Sequence, residues 1–297
     1  MRNCGVIFCV AVLEYSIIFP KGAIFMKKLL AVMLLLALSC TAAYAENIGV
    51  FAKLNATEAQ FEAATIKNES RPNIMSTLFA EGFRREDTSM RFYNTFSQMQ
   101  MALNRGEIDS FGAPDFLGEY MLRHSDAYTL HGVVLFKTPV ALSLGMLKEK
   151  SELRDRISTA IRELEASGVI GMLARDFITG LSTANPPAVK IDRFDDAETI
   201  NVAVTGDVPP LDYIAPDGTP SGFNTAILAE IGRKLHANIN LVNIETAARA
   251  SALASGRVDV VFWFMIYGQD KTIDLPEGII VSEPYYGFYR AYLISRK

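Results

Sequence analysis

The chain has 297 residues, of which 50% are hydrophobic, with 29 basic and 33 acidic residues and a formal net charge of −4. This length suits two lobes of ordinary domain size, the mixed composition is that of a globular protein, and the acidic balance argues against a nucleic-acid partner. The histidines His124, His131 and His236 lack the spacing of metal ligands, and the sequence contains no phosphate loop or nucleophile elbow. We therefore expect no enzyme, no metal and no cofactor.

The chain begins with a predicted export signal. Residues 26–45 combine a basic start, a short apolar core and small residues before Ala45, which predicts a secretory signal peptide and a periplasmic protein. We interpret residues 1–25 as an extension from a start codon assigned too early, with a second anchor as the alternative. Without residues 1–45 the chain has no cysteine and keeps 25 basic and 32 acidic residues, a net charge of −7.

Strands and helices alternate after the signal, as judged from the spacing of apolar residues. The predicted strands cover residues 47–52, 90–93 and 108–112, and the predicted helices cover residues 74–83, 96–103 and 115–122. Two extended segments, 128–136 and 140–147, lead to an amphipathic helix over 152–166 and a shorter helix over 169–178. Residues 182–198, rich in proline and acidic residues, predict a linker.

The alternation resumes after the linker. The predicted strands cover residues 200–204, 239–243 and 258–264, the predicted helices cover 226–235 and 246–254, and a final extended segment covers 287–295. A loop over 205–218 follows the first of these strands. This order of elements predicts mainly parallel sheets, in which ligands bind at the carboxyl ends of the strands.

One eight-residue phrase occurs twice, over residues 102–109 and, 150 positions later, over residues 252–259. Each copy predicts the end of a helix, a glycine with positive φ and an apolar strand. Two copies this far apart predict two similar α/β lobes that face a common cleft, and such clefts bind small molecules.

Several short motifs accompany the second copy of the phrase. They are Pro209-Pro210-Leu211, Asp217-Gly218 with Gly222-Phe223-Asn224, and Ser282-Glu283-Pro284-Tyr285-Tyr286. With these motifs, residues 200–297 resemble the first lobe of the family 3 periplasmic solute-binding proteins, the amino-acid-binding group that serves ABC importers. Residues 47–136 resemble the second lobe of that family, and residues 140–180 resemble its tail, whose helix packs back on the first lobe.

The order of these parts differs from that of the family, which runs first lobe, second lobe, tail. The resemblance therefore implies an α/β, two-lobed, periplasmic-binding-protein-like (type II) fold that is circularly permuted. Its predicted parts are the second lobe (46–139), the tail (140–181), the linker (182–198) and the first lobe (199–297). The new ends are expected in a hinge crossing, so that one of two hinge connections is cut and the hinge is looser. Two incomplete modules fused by rearrangement are the alternative.

The resemblance also implies ligand-binding residues on the first lobe. The arginine that holds an amino-acid carboxylate in the family falls on Lys271, and a solvated turn is the alternative for this lysine. The aromatic lid of the family falls on Val208, where the ring is missing. Four aromatic residues are candidates to replace that ring, with core packing as the alternative for the first two: Trp263, Phe264, Tyr213 and Tyr267.

The second lobe adds candidates at two helix starts. Asn55 and Thr57 resemble the family segment whose amides and hydroxyls hold the carboxylate. The acidic residue that takes the amino group falls at Pro114 or, after a slip of one residue, at Asp115. For both helix starts, simple capping of the helix is the alternative.

The predicted function is capture of a small polar ligand, an amino acid or a small carboxylate, by closure of two lobes for ABC import. The expected partners are this small-molecule ligand and an ABC permease or membrane receptor, and the expected state is a monomer. Two other functions remain open: a ligand-sensing or interaction module that has lost transport, and a cleft lyase or dehydratase on the same fold.

Overall fold

The computed structural model describes residues 46–51, 88–93, 95–180, 187–245, 248–267 and 278–297, and every structural statement below refers to these residues. The predicted signal peptide, the upstream residues 1–25 and the predicted helix over 74–83 lie outside the described residues. Residues 45–297 form one compact unit.

The described residues contain twelve strands and six α-helices. The strands are β1 (Glu46–Phe51), β2 (Thr88–Tyr93), β3 (Ser110–Pro114), β4 (Tyr128–Leu147), β5 (Thr199–Val204), β6 (Asp207–Val208), β7 (Asp212–Ile214), β8 (Pro220–Ser221), β9 (Asn238–Asn243), β10 (Val260–Tyr267), β11 (Ile279–Val281) and β12 (Tyr286–Arg296). The helices are α1 (Phe96–Arg105), α2 (Asp115–His124), α3 (Ser151–Ala166), α4 (Val169–Ala174), α5 (Phe223–Leu235) and α6 (Arg249–Ala254). None of these helices is long and apolar enough to cross a membrane.

The main sheet has nine strands and consists of two halves with the same strand order. In the first half, β2, β1 and β3 are parallel, and β12 and then β4 follow in antiparallel orientation. In the second half, β9, β5 and β10 are parallel, and β4 and then β11 follow in antiparallel orientation. In each half the fourth strand comes from the part of the chain that forms the other half. It is β12 in the first half and β4 in the second half. The prediction of mainly parallel sheets is therefore wrong for the centre of the sheet.

Strand β4 is a single strand of 20 residues, whereas the sequence predicts two extended segments. Pro139 separates the two predicted segments, and it lies where the pairing of β4 with β12 shifts register, between Leu135–Arg290 and Val140–Phe288. A proline has no N–H to donate, so an irregular stretch of pairing accommodates it without loss of a sheet hydrogen bond. The strand consequently continues from one half of the sheet into the other.

Two strands connect the halves, and both connections are intact. Strand β4 leads from the first half to the second, β12 leads back, and the two strands pair with each other from Tyr128–Arg296 to Leu142–Tyr286. Beyond β12, the N–H of Lys297 donates to the carbonyl of Ala127 in the first half, at 2.8 Å. The expectation that one hinge connection is cut and the hinge is looser stays a prediction, although β12 pairs with β4 along the crossing.

The two copies of the eight-residue phrase fold alike. Gly106 and Gly256 both have a φ of 72°, which follows the end of a helix in each half. The aspartate that ends each copy binds an asparagine in the first strand of the same half. The pairs are Asp109 with Asn47 and Asp259 with Asn201. In both pairs the carboxylate accepts the backbone N–H at 2.9 Å and a longer bond from the side-chain amide.

Helices α3 and α4 cover the second half of the sheet by packing against α5. The apolar stripe of α3 is buried at Ile157, Ile161 and Leu164, as its spacing predicts. Part of the predicted linker is also fixed to this half, since the N–H of Phe194 donates to Oδ1 of Asn238 at 2.9 Å. The boundaries of the predicted lobes, tail and linker stay predictions.

The loop after β5 folds into a small sheet of β6, β7 and β8 before α5 begins. Gly222 precedes α5 with a φ of 106°, and a Cβ at this position would lie 2.2 Å from the carbonyl oxygen of Leu211. Only glycine fits this turn, which brings α5 directly onto the loop that follows β5. The turn thereby positions the polar side chains at the end of β5.

Candidate functional site

The two halves meet where loops follow the carboxyl ends of β5 and β2. The N–H of Ser97, in the first turn of α1, donates to Oδ2 of Asp207 in the loop after β5, at 2.8 Å. Thr95 caps the same helix end by accepting the N–H of Gln98 at 3.2 Å. A carboxylate at the start of a helix is favourable because the N–H groups there lack partners within the helix. Ligands of open α/β sheets bind at such strand ends, so this junction is the candidate site.

Aromatic rings pack along the two connecting strands at this junction. Phe116 of α2 makes edge contacts with Tyr286 and Phe288 of β12, at centroid distances of 5.9 and 5.4 Å. Tyr286 in turn contacts Phe223 of α5 at 5.2 Å. Edge-to-face packing of this kind adds to the burial of the rings. A continuous set of rings thus links α2 of the first half to α5 of the second half.

A buried polar network lies at the end of β5. Oδ1 of Asp212 accepts the N–H and hydroxyl of Thr205 and the N–H of Gly206, at 2.7–3.0 Å. Oδ2 of Asp212 accepts a hydrogen bond from the side-chain amide group of Asn224 at 3.3 Å. The side-chain carbonyl oxygen of Asn224 in turn accepts a hydrogen bond from the Tyr285 hydroxyl at 3.2 Å. Burial raises the pKa of Asp212, and the charge of Arg249 and these hydrogen bonds oppose that effect. The network holds the loop after β5 in one conformation.

Arg249, the first residue of α6, points its guanidinium group into the protein. Its exposed fraction is 2%, and its Nη1 donates to the carbonyl of Phe262 at 3.1 Å. The pairing of β10 with β4 is irregular between Val261 and Phe264, which leaves this carbonyl next to the bulge. Burial lowers the pKa of Arg249, and the carboxylates of Asp212 and Asp207 oppose that shift. Arg249 therefore lies within the electrostatic reach of two carboxylates.

Buried polar atoms without a hydrogen-bond partner are rare among the described residues. They belong to three side chains: Nε and Nη2 of Arg249, Oδ1 of Asp207 and Oγ of Ser143. Native proteins satisfy most such groups, and an unsatisfied one calls for a physical explanation. All three residues belong to the second half of the sheet or to its loops, and Asp207 also contacts the first half.

Asp115 follows β3 in the first half, as predicted, but its carboxylate already has partners. Oδ1 accepts the N–H of Phe116 at 2.8 Å, and Oδ2 accepts Nε of Arg290 at 3.1 Å. Burial raises the pKa of Asp115, and the hydrogen bond from Arg290 opposes the shift. Burial together with the charges of Asp115 and Glu119 raises the pKa of Tyr286 to about 12, so this hydroxyl stays protonated at neutral pH.

The structure describes the other predicted site residues in part. Tyr213 lies on β7, half-buried, and its hydroxyl accepts a bond from Ser221 at 3.3 Å. Val208 is buried in β6. The backbones of three aromatic candidates lie on β10, but their side chains are outside the description: Trp263, Phe264 and Tyr267. Three polar candidates lie wholly outside the described residues: Lys271, Asn55 and Thr57.

Arg249 and Asp207 are residues that the sequence prediction missed. A signal for Arg249 was present, since Arg249, Ala252 and Leu253 share one face of the predicted helix over 246–254 and all three are buried. A charged residue on the apolar face of a short helix is expected to have a buried partner. Asp207 gave no such signal, because loops commonly contain aspartate. Within the described ranges, no three His, Asp or Glu side chains are grouped as a metal site.

Comparison with known proteins gives one family match and several similar structures. Residues 200–295 match the family described as Bacterial extracellular solute-binding proteins, family 3. The chain is similar to the ligand-binding component of an ABC-type import system from Staphylococcus aureus, with 10% identity and a TM-score of 0.40 over 84% of this chain and 65% of that one. It is also similar to the alkanesulfonate-binding protein SsuA from Xanthomonas axonopodis pv. citri, with 14% identity and a TM-score of 0.38 over 84% of this chain and 64% of that one. A third similar structure is the methionine-binding protein MetQ, with 13% identity and a TM-score of 0.35 over 85% of this chain and 83% of that one. The chain spans slightly less than two thirds of the length of the first two proteins.

Proposed function

We propose, from the match of residues 200–295 to the bacterial extracellular solute-binding proteins, family 3, that the whole chain is a solute-binding protein. It captures one small polar molecule, an amino acid or a small carboxylate, without converting it chemically. The observation that carries the proposal is the junction of the halves, where unsatisfied buried polar atoms lie beside a hydrogen bond that joins one half to the other. Solvent-excluded polar groups of this kind fix the orientation of a small ligand.

The proposed mechanism is closure of the two halves about the connecting strands. The ligand first docks on the loops of the second half, and the first half then closes over it, with β4 and β12 as the hinge. The bond between Ser97 and Asp207 forms on closure, because its two residues belong to opposite halves. A ligand shifts the equilibrium toward the closed state only by its differential affinity for that state.

The proposal includes a circularly permuted order of the two lobes. Support comes from the position of the family match near the end of the chain, after residues that form a half with the same strand order. A sheet in which each half contains a strand supplied by the other supports this order over a fusion of two incomplete modules. We further propose the lobe, tail and linker boundaries given above.

The proposal also covers the compartment and the partner. Residues 26–45 would direct export to the periplasm, where the protein would act as a monomer that delivers its ligand to an ABC permease. Lys271, Asn55 and Thr57, with Trp263, Phe264, Tyr213, Tyr267 and Asp115, remain proposed members of the binding site.

A binding screen tests the proposed function. The purified protein is heated with each of the twenty L-amino acids and with small mono- and dicarboxylates, and each compound that raises the unfolding temperature is titrated by calorimetry. We expect one chemically related group of compounds to bind, with one molecule per chain. Failure of every compound to bind, or release of a new product detected by NMR, would contradict a binding protein for these ligands.

A further inference from the structure

The starting observation is a bulge in β10, the strand on which three of the proposed site residues lie. Val261 is opposite Gly145 of β4 and Phe264 is opposite Ser143, so three steps along β10 match two steps along β4. Strand β10 therefore contains one extra residue at this point, and Phe264 takes the place that residue 263 would have in a regular strand. A shift of one place moves every following side chain to the other face of a sheet.

The backbone pairing fixes this part of β10 less firmly than the part before it. Residues 260–261 pair with both β4 and β5, whereas within the described residues the segment 264–267 pairs only with β4. A strand that is paired on one side has fewer hydrogen bonds to set its register. A side-chain contact at the bulge therefore has a direct influence on the register of the residues that follow.

Arg249 supplies a contact at the bulge. Its Nη1 donates to the carbonyl oxygen of Phe262 at 3.1 Å, and Phe262 is buried within the irregular stretch of pairing. Helix α6 holds the arginine in place, because Ala252 and Leu253 pack with Val261 in a small apolar cluster beside the main core. A buried carbonyl without a donor is unfavourable, so this bond favours the backbone conformation that turns the Phe262 carbonyl toward Arg249.

Arg249 does more than fill space in the core. Its exposed fraction is 2%, and two of its nitrogens, Nε and Nη2, have no hydrogen-bond partner, so burial of this side chain is costly. An apolar residue would avoid that cost but would provide neither a donor for the Phe262 carbonyl nor a charge that opposes the raised pKa of Asp212. Of these two contributions, only the donor acts on β10.

We propose that Arg249 is a positioning residue, whose hydrogen bond to the Phe262 carbonyl fixes the bulge in β10 and with it the register of residues 263–267. This segment carries Trp263, Phe264 and Tyr267, so the bulge decides the places that these three proposed site residues take in the sheet. The register in turn sets how tightly the ligand binds, and this last step rests on the proposed function.

The test uses the fluorescence of Trp263, the single tryptophan of the chain, and amide hydrogen exchange. Arg249→Met removes the donor and keeps an unbranched side chain. In the folded variant we expect a shifted emission maximum for Trp263 and exchange that is about tenfold faster at residues 263–267, with unchanged exchange at residues 200–204 of β5. A general loss of stability would instead speed exchange in both strands.

Two further variants complete the test. Arg249→Lys keeps one donor for the Phe262 carbonyl, and we expect wild-type emission and exchange. Arg233→Met on α5 is the matched control, because Arg233 is an exposed arginine that pairs with Asp192 and lies in no proposed site. Far-ultraviolet circular dichroism and the unfolding midpoint show that each variant is folded. A folded Arg249→Met with wild-type emission and exchange, or a folded Arg249→Lys that loses both, would overturn the inference.

Ligand binding is the third measurement, made with the compound that binds the wild-type protein most tightly. We expect Arg249→Met to weaken binding about tenfold, because a binding site depends on residues held in place by their surroundings, and Arg233→Met to leave the affinity unchanged. Unchanged affinity in an Arg249→Met protein with altered emission and exchange would overturn the link between the bulge and the ligand. If no compound binds the wild type, the proposed function fails, while emission and exchange still decide the role of Arg249.

Discussion

At the scale of single residues, two asparagine–aspartate pairs join the third strand of each half to its first strand. The Asp259 carboxylate accepts bonds from Asn201 and, at 3.0 Å, from Nζ of Lys150. Burial tends to raise the pKa of Asp259, but these hydrogen bonds outweigh it and the pKa is lowered. The charged form of Asp259 therefore stabilises the fold.

Asp259→Ala tests this contribution. We expect the free energy of unfolding at pH 7 to fall by about 2 kcal/mol, since hydrogen bonds to a charged group contribute about 1.5–3 kcal/mol. Because the pKa of Asp259 is lower in the folded state, its charged form stabilises the fold at pH values above the unfolded-state pKa of about 3.9. This stabilisation is lost as the pH falls through the folded-state pKa. The difference between wild type and variant should therefore narrow below about pH 4 in urea unfolding measured from pH 6 to pH 3.

The exposed Asp155, which pairs with its neighbour Arg154, provides the control. Asp155→Ala should change the free energy of unfolding by less than about 0.5 kcal/mol, because exposed ion pairs contribute little. An Asp259→Ala effect of the same size at pH 7 and pH 3 would contradict a role for the charge.

Sequence patterns predicted the conformation of some single residues but not the partners of others. The repeated phrase predicted the positive φ of Gly106 and Gly256, because a glycine after a helix is a local signal. The partners of Asp109 and Asp259 lie 62 and 58 positions earlier, so the phrase alone did not contain them. Arg249 was not predicted, because the spacing of apolar residues identifies a buried helix face but gives no role to a charged side chain on that face.

At the scale of elements, β12 is the strand on which the arrangement of the two halves depends. It pairs with β3 and β4 in the first half and with β4 again near the second half. Leu293 of β12 is 4% exposed and lies opposite Gly112 of β3 and Gly132 of β4. A cavity at this position would weaken the first half of the sheet directly.

Leu293→Ala shows whether the weakening reaches the second half. We expect a loss of about 3 kcal/mol in the free energy of unfolding, within the range for leucine truncation in a core. The single tryptophan, Trp263, belongs to β10 in the second half, so its fluorescence reports on the half that does not contain Leu293. The midpoint of denaturant unfolding should fall equally by fluorescence and by far-ultraviolet circular dichroism.

Tyr289 of the same strand is 56% exposed and serves as the matched control. Tyr289→Ala should shift the midpoint little, since surface substitutions usually change stability by less than about 0.5 kcal/mol. A Leu293→Ala midpoint that moves by circular dichroism while the fluorescence midpoint stays in place would mean that the halves unfold separately.

Most elements were predictable from local patterns, but their connections were not. Apolar spacing predicted α1, α3 and β5 to within two residues at each end, because each presents a periodic buried face. Periodicity does not specify which strands pair across 150 residues, so the antiparallel places of β4 and β12 were missed. The sequence predicted two extended segments on either side of Pro139, whereas the strand is continuous with a register shift beside this residue.

At the scale of the whole molecule, the two halves form one sheet in which each half contains a strand supplied by the other. The chain passes between the halves through β4 and β12, and these two strands pair with each other along the crossing. The resemblance predicted the two-part architecture, since each half contains its own phrase and strand set. It did not predict the pairing of β12 within the first half, because partners far apart along the chain leave no local signal.

Scanning calorimetry with and without the most tightly bound amino acid tests the central claim, that both halves bind one solute as a single unit. We predict one unfolding transition whose midpoint rises with ligand concentration, corresponding to a stabilisation of about 2.7 kcal/mol when the ligand is at 100 times its dissociation constant. Two separate transitions, with the ligand moving only one of them or neither, would contradict it.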